Sequence, residues 1–216
     1  MKVIAEAGCN HSNLCEAIEM INRSKEIGCW ATKFQIYNDD LIKDSEDYEF
    51  LKSIMLDSLA VRVLFEHGKS IGQEVFFTCM FPEAVDWCEL IGVNYYKIRF
   101  ADNNNRELYQ KIKKTKKFTF VSIDDILTSI WKSYIDYGKG AFLYCVPKYP
   151  AKINDYKPYL YAPDGFSDHT KDIKMLEEVK DFGYDYFEKH VKLNDDCIES
   201  AWSCTFEELE EVLKHE

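Results

Sequence analysis

Strand-like and helix-like segments alternate along this chain from one end to the other, and that alternation restricts the folds open to it more than any single motif. Eight segments read as strands: Val3 to Ala7, Ala31 to Tyr37, Glu74 to Met80, Tyr95 to Phe100, Phe118 to Ile123, Ala141 to Val146, Tyr159 to Phe166 and Asp185 to Leu193. Between them, Asn13 to Ile27 has an amphipathic pattern stopped by Gly28. A helix is predicted from about Phe50 to Ile71, after an insertion from Asn38 to Tyr48. Pro82 opens a helix that ends at Gly92, and the Asn-rich Asp102 to Asn105 precedes one running to about Lys114. Asp124 to Tyr137, Asp172 to Phe182 and Phe206 to His215 complete the set, the last with Thr205 as its N-cap. The link from Lys148 to Pro158 is too short and Pro-rich for a full helix. Eight such units without a linker or low-complexity segment predict an α/β chain folded as a (β/α)8 TIM barrel, one small domain over residues 1–216. An open doubly wound sheet is the alternative.

The stretch from Gly165 to Ser203 places two histidines at the ends of consecutive predicted strands. Such strands in a β-loop-α-β unit are parallel and usually neighbours, so His169 and His190 share a rim, and two imidazoles on one rim suggest a metal. The bland alternative is a pair of satisfied structural histidines. Asp168 and Glu188 are acidic neighbours able to orient imidazole N–H groups or bind the metal themselves. Alternation along Phe187-Glu188-Lys189-His190 puts Glu188 and His190 on one face and Phe187 and Lys189 on the other.

Barrel strands are buried on both faces and should be apolar, yet several here carry polar residues. Glu6 sits late in the first strand, Lys33 and Gln35 share a face of the second, and Lys97 and Arg99 share a face of the fourth. Ser122 ends the fifth and Ser167 follows the seventh. Strand C-termini form the catalytic rim of a barrel, where a ligand or counter-charge compensates buried charge. Internal pairing, for example Glu6 with Lys33, is the competing explanation for any one of these residues. Together, lysines and serines that hold a phosphate or carboxylate beside a histidine-bound metal suit chemistry on an anionic substrate.

Composition excludes some partners. The formal net charge of −11 argues against nucleic acid, while a few lysines inside a cleft still set a positive local field. No segment approaches the ~20 apolar residues of a membrane span, and the N-terminus does not read as a secretory signal. The eight cysteines show no CxxC pairing and read as reduced residues of a cytoplasmic protein. His11 fits either the rim or a hydrogen-bonded turn, His67 and His215 fall on helix surfaces, and Tyr156, Tyr159 and Tyr161 read as packing residues. Lys111 to Lys117 reads as a solvated helix end.

Several motifs, in order, resemble those of the sialic acid synthases. Ile4-Ala5-Glu6-Ala7-Gly8-Cys9-Asn10-His11 resembles the family's IAEIGxNH, and Lys33-Phe34-Gln35 its KFQ. Leu90 to Ile98 resembles LGVxxYKI, and Tyr149-Pro150 the YP after strand six. Gly165 to Thr170 and Glu188-Lys189-His190 match GFSDHT and EKH, and Glu199 to Ser203 resembles DSAFS. Phe100 stands where the family has serine, and Val146-Pro147 where it has Thr-Asn.

The resemblance implies a TIM-barrel transferase that condenses phosphoenolpyruvate with an N-acetylated amino sugar such as N-acetylmannosamine. The products would be a sialic-acid-type nonulosonic acid and phosphate. It implies a divalent metal on His169 and His190, manganese first, with magnesium or cobalt as alternatives. Glu6 would handle a proton, with Lys33 and Lys97 as its catalytic companions; Lys33, Lys97, Ser122 and Ser167 would hold phosphoenolpyruvate. Gln35 and Tyr149 would line the sugar side, and Asp168 and Glu188 would support the histidines. The resemblance implies that family members continue into an antifreeze-like domain; none is expected within residues 1–216, so the expected partners, beyond the substrates, are a second copy in a homodimer or a separate antifreeze-like domain protein. Two other readings stand beside this one: a related barrel enzyme using another aldehyde acceptor, and a non-catalytic metal- or anion-binding barrel.

Overall fold

The computed structural model describes residues 1–124, 139–157 and 164–214. Eight parallel strands pair in chain order: β1 (Lys2–Gly8), β2 (Ala31–Ile36), β3 (Glu74–Cys79), β4 (Tyr95–Ile98), β5 (Phe118–Ile123), β6 (Gly140–Cys145), β7 (Gly165–Asp168) and β8 (Tyr186–Lys192). β8 pairs back onto β1, closing the barrel and excluding the open sheet. A two-residue strand, Cys204–Thr205, adds to the end of β8 and leads into the last helix, Phe206–Leu213, which Thr205 and Glu208 cap reciprocally.

The two faces of the strands have separate tasks. Outward side chains such as Val3, Ala5, Phe77, Tyr96 and Phe187 join the helices in the main apolar core. Inward, the lower barrel is filled by Ile4, Phe76, Phe120 and Leu143, with Trp30, Tyr95, Phe118 and Tyr186 sealing the end. Phe76 stacks on Phe120 with centroids 5.6 Å apart, and Trp30 meets Tyr95 edge-on at 5.0 Å; such pairs contribute roughly 0.5–1.5 kcal/mol each beyond area burial. This aromatic floor fills the barrel interior below the C-terminal rim.

Three boundaries differ from expectation. The helix predicted from Phe50 to Ile71 is two helices, Tyr48–Ser53 and Ser58–Ile71. The break follows from Asp57, whose carboxylate accepts from the Ala60 N–H at 2.8 Å and starts a new helix, while Ile54 and Leu56 turn inward. With Asp39–Ile42, the shorter helix builds a cap over the rim, packed on Cys9, Tyr37, Ile42, Ile54 and Met80. β4 ends at Ile98, where the chain turns into a 3-10 helix over Phe100–Asp102. β7 runs on to Asp168, past the expected end at Phe166. The helix expected from Asp124 to Tyr137, the first residues of the strand expected from Tyr159, and His215 lie outside the described residues. No helix among those described is long and apolar enough to cross a membrane.

Candidate active site

Register brings the charged strand residues together. Glu6 stands opposite Lys33 on one neighbour and His190 on the other; Thr78 stands opposite Lys97, and Ser167 opposite Glu188. A residue's inward or outward direction alternates along a strand, so Glu188 and His190 enter the barrel while Phe187 and Lys189 leave it. The result is a cavity of about 340 Å³ above the aromatic floor, lined by Glu6, Lys33, Gln35, Lys97, Ser122 and Ser167 below, with Tyr149, His169, Glu188, His190, Glu199 and Trp202 around it.

Glu188 is the hub. Lys97 Nζ donates to its two oxygens at 2.6 and 2.8 Å, and Ser167 Oγ donates at 2.7 Å. Lys33 Nζ lies 3.6 Å from it. Burial opposes the Glu188 charge, but the two lysines and Ser167 hold its carboxyl well below the usual carboxylate range. Lys33 also pairs with Glu6 at 2.7 Å and donates to Thr78 Oγ1 at 2.9 Å. Burial raises the Glu6 carboxyl against the pull of Lys33, and Glu188 adds to that rise. Burial, together with the Lys33 charge, lowers Lys97. The cluster therefore has one carboxylate held in its ionised form, a second whose pKa burial raises, and two lysines beside open space.

The histidines sit at the upper edge with ring centroids 5.5 Å apart. His169 Nδ1 is 2.8 Å from the Val146 carbonyl, and His190 Nδ1 is 3.0 Å from Glu199 Oε2. Each ring is thus fixed through Nδ1, and neither Nε2 has a hydrogen-bond partner among the described residues. Burial, with the neighbouring His190, pushes His169 down to about 3, so it is neutral at ordinary pH. Burial also opposes charge on His190, but Glu199 outweighs it and the pKa rises. Two oriented imidazoles with open Nε2 atoms fit a divalent cation. No group of three or more His, Cys, Asp or Glu side chains able to hold a metal occurs among the described residues.

The structure brings Glu6, Lys33, Gln35, Lys97, Ser122, Tyr149, Ser167, His169, Glu188 and His190 to one cavity. It does not bring Asp168. That carboxylate points through the barrel wall to Lys189 at 2.9 Å and also accepts from Thr170. Strand parity is the cause: Ser167 faces inward, so Asp168 faces outward. Glu188 likewise serves the lysines and Ser167, and the carboxylate orienting His190 is Glu199. Sequence reasoning assigned Glu199 no role; its only signal was the acid in Glu199 to Ser203. Gly8 makes room for it, since a Cβ there would collide with the Glu199 carboxylate and φ is +51°. Asn10 secures the same loop: its amide donates to the Val191 carbonyl and Ser203 Oγ, both at 2.8 Å, and its carbonyl accepts from the Glu199 N–H at 3.0 Å.

Other expectations resolve simply. His11 is buried edge-on to Phe34 and does not line this cavity. His67 is half-buried and bridges to Asn22 at 2.7 Å, so it is a helix-to-helix contact instead of a solvated residue. Tyr156 packs on Phe166, as expected, whereas Tyr159 and Tyr161 lie outside the described residues. Lys111 and Lys117 pair with Asp86 and Glu89.

Known proteins repeat this arrangement of strands. A model of the NeuB family matches residues 20–215. An uncharacterized protein of Methanocaldococcus jannaschii is 30% identical over 233 residues, covering 99% of this chain and 69% of its own length. The N,N'-diacetyllegionaminic acid synthase of Legionella pneumophila is 27% identical over 89% of this chain and 64% of its own. The chain thus spans about two thirds of the length of these relatives. Among solved structures, the N-acetylneuraminic acid synthetase of Leptospira borgpetersenii superposes with a TM-score of 0.87 at 23% identity, covering 98% of this chain and 81% of that one. A truncated 3-deoxy-D-arabino-heptulosonate 7-phosphate synthase of Thermotoga maritima superposes at 0.74 with 11% identity, covering 100% and 84%. These superpositions establish the fold, and the family match runs from the first helix to the last. The chain belongs to the NeuB family.

Proposed function

We infer that this protein condenses phosphoenolpyruvate with the open-chain form of an N-acetylated amino sugar, releasing phosphate and a nonulosonic acid. The observation that carries the reading is the juxtaposition of Lys33 and Lys97 with two imidazoles whose Nε2 atoms are open, in one cavity of a NeuB-family barrel. The synthase activities of relatives support it.

A divalent cation held by His169 and His190, manganese first, would polarise the acceptor's carbonyl oxygen. Lys33, Lys97, Ser122 and Ser167 bind the phosphate and carboxylate of phosphoenolpyruvate. Glu188 keeps the lysines in place, and burial raises the Glu6 carboxyl beside them. C3 of phosphoenolpyruvate forms the new bond to the aldehyde carbon as the carbonyl oxygen becomes a hydroxyl. Water then adds at C2, and the tetrahedral intermediate collapses to the 2-keto acid as phosphate leaves. Glu6, with its raised carboxyl, moves the proton on water or on the sugar hydroxyl. Gln35, which donates to Glu6 Oε1 at 3.0 Å, links that group to the acceptor side. Phe100 lines the cavity where the resemblance implies a serine, and a related barrel enzyme using another aldehyde acceptor is the second reading.

Phosphate release from phosphoenolpyruvate with manganese and a panel of amino sugars tests the reaction. Release that requires a sugar and is lost in His190→Ala and Lys97→Ala is expected. Absence of release across the panel, with manganese binding intact, would overturn it.

A further inference from the structure

Of the charged residues lining the cavity, Arg99 alone has no part in the reaction described above or in holding a group that does. β4 ends at Ile98, but the backbone stays extended at Arg99 (φ −74°, ψ 162°), so its side chain takes the same side of the wall as Lys97. Lys97 stands opposite Phe120 and Ile98 opposite Val121, which makes Ser122 the next residue up on the β5 side. Asn103, in the turn after Arg99, donates to the Ser122 carbonyl at 3.0 Å and ties that turn to β5. Asp102 takes one edge of the guanidinium: Nε donates to Oδ2 at 2.5 Å, and Nη2 lies 3.5 Å from Oδ1. The Asp102 side chain is 11% exposed and does not line the cavity, so it holds the arginine from behind. Nη1 has no hydrogen-bond partner among the described residues, and the arginine side chain is 39% exposed. Lys33 and Lys97, by contrast, already spend donors on Glu6, Thr78 and Glu188. Uncharged donors are fewer here than the resemblance implies, with Phe100 in place of a serine and Val146-Pro147 in place of Thr-Asn.

We propose that Arg99 binds the phosphate group of phosphoenolpyruvate from the mouth of the cavity, opposite the two lysines. The proposal rests on the condensation reading for the identity of the anion. A phosphate carries more charge than a carboxylate and offers three strong acceptor oxygens. A guanidinium presents its N–H groups in a planar fork that two such oxygens match, which an ammonium does not do. With Nε turned back on Asp102, the Nη1 and Nη2 edge is the one left for the ligand. The phosphate is then held between ammonium groups on the floor side and the guanidinium above, and Arg99 replaces in one side chain the uncharged donors absent at Phe100 and Pro147.

The experiment measures binding without turnover. Phosphoenolpyruvate, inorganic phosphate and pyruvate, the last with the carboxylate but no phosphate, are titrated into the full chain with manganese present and no acceptor, and each affinity is read by calorimetry. Arg99→Met is expected to weaken phosphoenolpyruvate and inorganic phosphate by roughly 10- to 100-fold, the scale of one or two charge-assisted hydrogen bonds, and to leave pyruvate unchanged. Arg99→Lys, which keeps the charge and loses the fork, should fall between the wild type and Arg99→Met, with a urea midpoint showing that each variant is folded. Unchanged phosphate affinity in Arg99→Met, an equal loss for pyruvate, or a wild type that binds neither phosphate-bearing probe would overturn the proposal. Phosphate release with acceptor sugars, followed in parallel, separates the two ideas. Release with an unchanged KM for phosphoenolpyruvate in Arg99→Met would retain the condensation and remove Arg99 from the anion; a loss of phosphate affinity in that variant, without release by the wild type, would do the opposite.

Discussion

Two buried lysine–carboxylate pairs lie on opposite sides of the barrel wall, and the contrast between them shows what burial alone does not. Lys189 and Asp168 stand opposite each other on β8 and β7, both fully buried and away from the cavity: Asp168 also accepts from the Thr170 amide and hydroxyl, and Lys189 donates to the Thr170 carbonyl. Lys97 and Glu188, on the inner side, are as deeply buried, yet the Lys97 ammonium borders a cavity. The residue types are the same. The outer pair is closed on itself, whereas the inner pair keeps bonding capacity facing open space, and that remainder is what a substrate anion can use.

The sharpest way to break the comparison is to cut each pair. Lys189→Met strands the Asp168 charge and should cost about 3–5 kcal/mol of folding stability, read by urea denaturation. Lys97→Met should be milder in that assay, because Glu188 keeps Lys33 and Ser167. Its loss should appear in phosphate release instead, about 10²–10³-fold in kcat, the scale for removing one preorganised charge-stabilising donor. Should Lys97→Met unfold the protein as readily as Lys189→Met, the distinction fails.

Acid provides the next test. Burial, reinforced by His190, pushes His169 down to about 3, and burial pushes His11 down to about 4. Between roughly pH 6.5, the usual imidazole value, and those values, the unfolded chain binds protons that the folded chain refuses, so stability falls as pH falls. Each imidazole should contribute a slope of up to about 1.4 kcal/mol per pH unit in that window. A urea midpoint that does not change between pH 7 and pH 4.5 would contradict the burial of both rings. The smallest expected effect is from Ser167→Ala, which removes the hydroxyl that donates to Glu188 beside the anion pocket. Its KM for phosphoenolpyruvate should rise about tenfold, or about 1.4 kcal/mol, with kcat held.

Strand parity made much of this site legible in the sequence. It separated Glu188 and His190 from Phe187 and Lys189, and the unusual charges at Glu6, Lys33 and Lys97 marked the rim because buried parallel strands should be apolar. The same rule, applied one residue further along Gly165 to Asp168, would have sent Asp168 outward; proximity in sequence to His169 obscured it. Glu199 was harder to see, since it reaches His190 from an irregular loop where no periodicity fixes direction. Trp202 was hidden for the same reason. The helix break before Asp57 was written locally, but the apolar pattern on both sides of it concealed the cap.

The barrel's closure has a consequence for how the protein is made. Glu6 and His190 face each other across the β1–β8 seam, and Asn10 stitches the loop after β1 to the segment carrying Glu199. These partners are among the first and last parts of the site to leave the ribosome. Until β8 is made, the nascent chain has Glu6 and Lys33 without the strand that supplies their companions, and the barrel wall is unfinished. Catalytic competence would therefore arrive abruptly, with the final strand, and not build up as the chain lengthens.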